Sequence, residues 1–250
     1  LCSGIAPFSA FSWHTGAMNT PDSERSPYIL AIDIGSSSTR AEVFDRLLKP
    51  VSGTFCQKTY QLVTGADGQA ELEPDSLLEI VSWCIETATS TWPNIDGIGI
   101  SCFWHSILGV DANGAPTTNV LMWADTRAAG AVSTLYDRVD PVAHHQWTGT
   151  RLHTSYPMAK LRWLNDDYPE IIQRTTRWMS FPEYLQFKLT GELSISTSMA
   201  SGTGLFNRTR LEWDEEALNA AGVTADQLSP LDDEPICWNQ PRHWSHLRGT

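Results

Sequence analysis

The sequence predicts an α/β domain built on a mixed sheet, with a helical lobe attached. Three observations carry that expectation. A short apolar run at 28–34, YILAIDI, is followed by a turn and an alternating segment, the pattern of two antiparallel neighbours. An amphipathic stretch at 74–91 then separates this start from further strand-like runs between 95 and 125. Beyond 125 the periodicity turns mostly helical.

Each element has its own local signal. GSSS after Ile34 supplies a turn, TRAEVFD reads as the second strand, and an extended segment follows around 51–63. In 74–91, Leu77, Leu78, Val81, Cys84, Ile85 and Ala88 fall on one helical face, with Pro74 where a first-turn proline is tolerated. IDGIGISCFW at 95–104 reads as a buried strand. ILGVDANG at 107–114 reads as another that ends in an Asn-Gly turn, and VLMWAD at 120–125 as a third. Helices are expected over 125–138, 157–166 and 181–189, then a stop and short strand at TGEL 190–193, then a last helix at 214–222 closed by Gly222. No repeat or low-complexity run interrupts the chain.

With 250 residues, 41% of them hydrophobic, the chain can bury a sizeable core. Its formal net charge of −12, with no Lys/Arg cluster, argues against nucleic acid or an anionic membrane as a partner. The five cysteines, at 2, 56, 84, 102 and 237, form no CxxC pair and read as reduced thiols of a cytoplasmic protein. Cys237 with His243 and His246 matches no zinc spacing, so no structural metal is expected there. Asn207-Arg208-Thr209 fits the glycosylation pattern, which matters only in a secreted chain. Residues 1–21 lack a basic start and are broken by polar residues, so they read as neither signal peptide nor membrane span. The expected organisation is a tail or upstream segment over 1–27, then one domain over 28–250.

The most informative segment is Asp33-Ile34-Gly35-Ser36-Ser37-Ser38-Thr39-Arg40. An Asp at the end of a buried strand is costly unless it meets a cation or donors. Gly35 permits a sharp turn, Ser36, Ser37 and Ser38 offer hydroxyls and amides to an anion, and Arg40 can offset its charge. One reading is a phosphate-binding hairpin whose Asp33 holds Mg²⁺ through water. The other is a Ser-rich turn with an Asp bonded locally. It is not a Walker loop, because no GKS or GKT follows.

This segment resembles the first phosphate motif of the FGGY carbohydrate kinases, which share a ribonuclease-H-like fold with actin and hexokinase. Three more blocks resemble the family in the same order: 97–127, 148–164 and 180–218. The resemblance implies ATP and Mg²⁺ at Asp33, Gly35, Ser36, Ser37, Ser38 and Arg40. It also implies a carbohydrate at Trp104, His105, Trp123 and Asp125, the last two within W-x-D-x-R. Carboxylate and imidazole suit a polyol because each bonds neighbouring hydroxyls, and indole faces suit a sugar's C–H face. Without the resemblance, His105 reads as a strand-end histidine satisfied by backbone, and the tryptophans as core.

Lys160 also matches a family position, although a solvated helical lysine is the simpler expectation. The block LHTSYPMAKLRWL and the stretch ASGTGLFN look closest to gluconate-type kinases, with xylulose-, ribulose- and glycerol-type members left open. Phe103 stands where many members carry Gln, Ser106 where many have Gly, and Ser196 at a position commonly Asp. The family's general base, an Asp in a Gly-Asp motif, lies in a second domain, and these 250 residues contain no Gly-Asp pair. The resemblance therefore implies the sugar-binding half of a kinase, inactive alone. The alternative is a non-catalytic protein that binds a carbohydrate or a partner.

Overall fold

The computed structural model describes residues 27–92 and 95–237. All but the last residue of the tail expected over 1–27, and the residues His243 and His246, lie outside them. In chain order the strands and helices are β1 (Ile29–Ile34), β2 (Ser38–Phe44), β3 (Cys56–Thr59), β4 (Val63–Thr64), β5 (Ala70–Leu72), α1 (Pro74–Thr89), β6 (Gly97–Cys102), β7 (Leu108–Val110) and β8 (Val120–Leu121). The second half holds α2 (Ala129–Tyr136), α3 (Pro141–Thr148), α4 (Pro157–Asp167), α5 (Pro169–Arg174), β9 (Arg177–Met179) and α6 (Phe181–Thr190). It closes with α7 (Thr197–Ala200), β10 (Phe206–Asn207), β11 (Glu212–Trp213) and α8 (Glu215–Ala221).

The central sheet runs β3-β2-β1-β6, antiparallel across the first three strands and parallel between β1 and β6. It is the mixed sheet the sequence predicts. Alternation gives it two different faces. Leu30, Ile32, Ile34, Ala41 and Val43 point into a core shared with Leu77, Val81, Cys84 and Ile85 of α1 and with Phe181, Tyr184 and Leu185 of α6. On the opposite face Asp33 lies between Arg40 and Ser101 in register, and all three are exposed.

Helix α1 starts where its sequence says it should. Glu73 caps it by accepting from the Asp75 and Ser76 amides, and Pro74 occupies the first turn, where no amide donor is needed. Tyr184 Oη donates to Asp75 Oδ1 at 2.5 Å and fastens α6 to the start of α1. A second core, around Leu135, Leu161, Trp178, Leu205 and Leu218, makes the helical lobe.

Several expectations need correction. The helix placed at 125–138 is shorter, because Asp125–Arg127 are held in turns by bonds such as Thr126 N to Gly68 O at 3.0 Å. The strand expected after TGEL is only a single bridge, Ile195 to Leu231, because no second strand lies alongside to extend it. Helices α3 and α5 and strand β9 were not expected at all. Helix α3 carries an Asp140 cap, Pro141 in its first turn and Gly149 at a left-handed stop, a legible signal that its weak apolar face hides.

Candidate functional site

Strand β1 ends in a tight hairpin that leaves donors free. Gly35 N donates to Ser38 O at 2.9 Å, and a Cβ at Gly35 would stand 3.2 Å from that same oxygen. Tyr60 clamps the turn from β3's end, its hydroxyl donating to Gly35 O at 2.5 Å and its amide to Ser37 O at 2.9 Å. Burial pushes the Tyr60 phenol up to about 12, so it remains a donor. Among the described residues, the amides and hydroxyls of Ser36 and Ser37 have no protein partner. Arg40 Nη1 lies 3.6 Å from Asp33 Oδ2 with both side chains about half exposed, a weak pairing that leaves the carboxylate available. Free amides and hydroxyls beside a loosely held carboxylate fit phosphate oxygens and a hydrated divalent cation.

The next loop leaves the sheet alongside. Phe103 N donates to Ile34 O at 2.9 Å, extending the β1–β6 ladder by one residue, and Trp104 and His105 follow directly. His105 has φ 59°, a conformation uncommon outside glycine. That strain is maintained by contacts on three sides. The ring stacks on Trp104 at 4.9 Å, meets the Tyr156 ring edge-on at 4.8 Å, and its Nδ1 lies 2.8 Å from Gly202 O. A carbonyl only accepts, so Nδ1 carries the proton and Nε2 is left as an acceptor without a protein partner among the described residues. Burial lowers the imidazole pKa, which keeps the ring neutral near pH 7.

Gly202 is indispensable to this packing. A Cβ there would fall 2.1 Å from Trp104 Nε1, which itself donates to Met199 O at 3.2 Å. The turn that follows α7 thus serves as the platform for both rings. Ser196 caps α7 by accepting from Met199 N at 3.2 Å. Asp233 then holds the helix start through Thr197 N and Oγ1 at 2.8 and 2.7 Å.

Trp123 and Asp125 occupy different environments. Trp123 is 48% exposed, whereas Asp125 is 1% exposed. The Asp125 carboxylate accepts from Ala70 N at 3.1 Å and from Arg127 N, Nε and Nη2, and Arg127 also pairs with Glu71. Burial opposes the Arg127 charge, but these two carboxylates raise its pKa above the ordinary value. The guanidinium also lies over the Trp163 ring at 4.8 Å.

Lys160 corrects the expectation of a solvated side chain. It is 1% exposed, because the first two turns of α4 are buried on every face. Its Nζ donates to Thr154 O and Ser155 O at 2.7 Å each, fixing the loop that precedes Tyr156. Burial draws its pKa down to about 7 despite the opposing field of Asp125.

A protein-family model describing the FGGY family of carbohydrate kinases, N-terminal domain, matches residues 28–234. The chain belongs to this family. A gluconokinase of Bacillus subtilis (strain 168) is 34% identical to this FGGY domain over 209 residues, which cover 82% of the chain and 40% of that protein. A xylulose kinase of Haemophilus influenzae is 28% identical over 212 residues, covering 80% of the chain and 43% of the relative. Among solved structures, gluconate kinase from Lactobacillus acidophilus superposes with a TM-score of 0.82 at 29% identity, over 89% of this chain and 46% of that one. The chain spans less than half the length of the curated relatives it matches. With the family comes the fold: the mixed sheet and its helices are those of the ribonuclease-H-like sugar kinases. Carbohydrate kinases of the family use ATP, usually with a divalent metal.

Residue patterns alone had not indicated Tyr60, Tyr156 or Gly202. Each acts through a contact distant in sequence, such as the 97 residues between His105 and Gly202. Two measurements probe the arrangement. Replacing Gly202 with Ala should displace the Trp104 indole, read as a changed emission spectrum and as weaker sugar binding with folding retained. Lys160 should govern part of the pH dependence. Between pH 7 and 9 the unfolded chain keeps a proton on this amine that the folded chain has released, so stability rises with pH across that window. The Lys160→Met variant should lose most of the rise in urea denaturation. Above pH 9 the buried Cys84 thiol, pushed up to about 12, acts in the opposite sense.

Proposed function

We propose that this chain is the sugar-binding domain of an ATP-dependent kinase acting on a sugar acid such as gluconate. One observation carries the reading. The Gly35–Ser38 hairpin and the Trp104–His105 pair leave the same end of the sheet, joined by the bond from Phe103 N to Ile34 O. A donor-rich turn beside an imidazole acceptor and exposed indoles suits a phosphate donor facing a polyol. The relatives named gluconokinase support the sugar-acid choice.

In this reading Gly35, Ser36, Ser37, Ser38 and Arg40 hold the nucleotide's terminal phosphates, and Asp33 holds Mg²⁺ through water. The metal, when bound, would neutralise charge on the transferring phosphoryl group. His105 accepts a sugar hydroxyl through Nε2, and Trp104 and Trp123 offer flat apolar faces. Asp125 acts behind Trp123, using its carboxylate to lock the turn that presents the indole. Phosphorylation needs a base within reach of the attacking hydroxyl. We assign that base to a second domain, so the 250 residues alone should bind sugar without turning it over. The setting consistent with this reading is the cytoplasm, and among the described residues no helix is long and apolar enough to cross a membrane.

Calorimetry on the purified chain tests the proposal. Gluconate should bind saturably, and His105→Ala should weaken binding by about tenfold or more, the equivalent of one lost hydrogen bond to a neutral group. His105→Gln, which keeps an acceptor near the Nε2 position, should recover part of the loss. No saturable binding of gluconate or xylulose would refute the reading. Sugar binding in a full-length gene product that never phosphorylates would favour the non-catalytic alternative.

A further inference from the structure

Among the described residues, the buried side-chain nitrogen or oxygen atoms that lack a hydrogen-bond partner are Ser106 Oγ, Trp178 Nε1 and Ser229 Oγ. All three residues are at most 3% exposed, and all three line one small internal space of about 20 Å³. They arrive from separate parts of the chain. Ser106 directly follows His105, Trp178 lies on β9 opposite Gly109, and Ser229 belongs to the segment that runs past Ile195. The carboxyl of Glu183 lines the same space, its Oε2 already accepting from Ser180 N and Oγ at 2.6 and 2.5 Å.

Each orphaned group is destabilising if nothing meets it. Three converging on one space point to a shared partner. The volume exceeds the roughly 10–15 Å³ that one water needs. The chemistry narrows the choice further. An indole N–H only donates, so the partner must accept, which rules out a metal cation or an ammonium. A chloride would sit against the carboxyl of Glu183. Water alone accepts from the indole while bonding two hydroxyls that can each give or take a proton.

We propose that a single ordered water is held by Ser106 Oγ, Trp178 Nε1 and Ser229 Oγ, and that it ties the residue after His105 to the segment at 228–229. Glu183 fits the picture. Burial raises its pKa to about 6, while the hydrogen bonds from the Ser180 amide and hydroxyl ease the charge. The proposal does not depend on which sugar is bound.

A crystal structure of the unaltered chain at a resolution that shows ordered solvent is the direct test. It should reveal one solvent peak within hydrogen-bond distance of all three atoms. Ser106→Gly and Ser229→Ala should each lower the melting midpoint by a few degrees, and the double variant should lose clearly less than the sum, because both changes strip the same water. A structure with no peak there, or with Ser106 bonded directly to Trp178 or Ser229, would overturn the inference. Additive losses in the double variant would overturn it as well.

Discussion

The parallel pairing of β1 with β6, prolonged by the bond from Phe103 N to Ile34 O, is the constraint on which the rest depends. It forces two loops from distant parts of the chain to leave the sheet at one end. Both strands are short, and the buried alternation of Leu30, Ile32 and Ile34 on β1 fixes its register, although β6 is more open than the buried strand the sequence suggested. A slip of one residue would turn Asp33 into the core and Ile34 out of it. The register is secured from beneath by α1 and α6, whose apolar faces fill the space under Leu30, Ile32 and Ile34. Packing of ordinary aliphatic side chains therefore decides where a carboxylate and an imidazole end up.

Around that fixed pair the molecule keeps a set of buried polar groups that a purely structural core would not need. Asp125, Arg127 and Glu71 form one ionic cluster, and Lys160 lies within the field of Asp125. Breaking one partner of such a buried pair typically costs about 3–5 kcal/mol, while replacing the whole set with apolar residues is often tolerated. Their presence is thus better explained by position than by stability. They fix the turn bearing Trp123 and the loop bearing Tyr156, whose ring meets His105 edge-on. The strained backbone at His105 belongs with them, because a left-handed histidine persists only where neighbours over-determine it.

Much of this was legible in the sequence. The run YILAIDI and the alternation after GSSS identify the hairpin, and the one-sided face of 74–91 identifies α1 almost to the residue. Trp123-Ala124-Asp125-Thr126-Arg127 was legible only as a sugar-pocket resemblance, and the folded chain instead shows the Asp125 carboxylate committed to Arg127 and Ala70. What stayed hidden depends on distant contacts. Strand β9 is three residues long and exists because β7 lies beside it. Lys160 looked solvated because a helical pattern cannot show that the second core closes over every face of α4's first two turns. Nothing in the sequence singles out Gly202, whose missing side chain leaves the space that the Trp104 indole fills.

Whether nucleotide and sugar meet at one end of the β1–β6 pair is decided by amide chemical-shift mapping of the isotopically labelled chain, with a sugar acid added first and Mg·ATP second. The first addition should move Trp104, His105 and Gly202, and the second should move Gly35 to Ser38, with the sugar-responsive signals shifting again. Responses confined to the helical lobe around Trp147 and Arg210, with the end of β1 silent to both ligands, would contradict that meeting point.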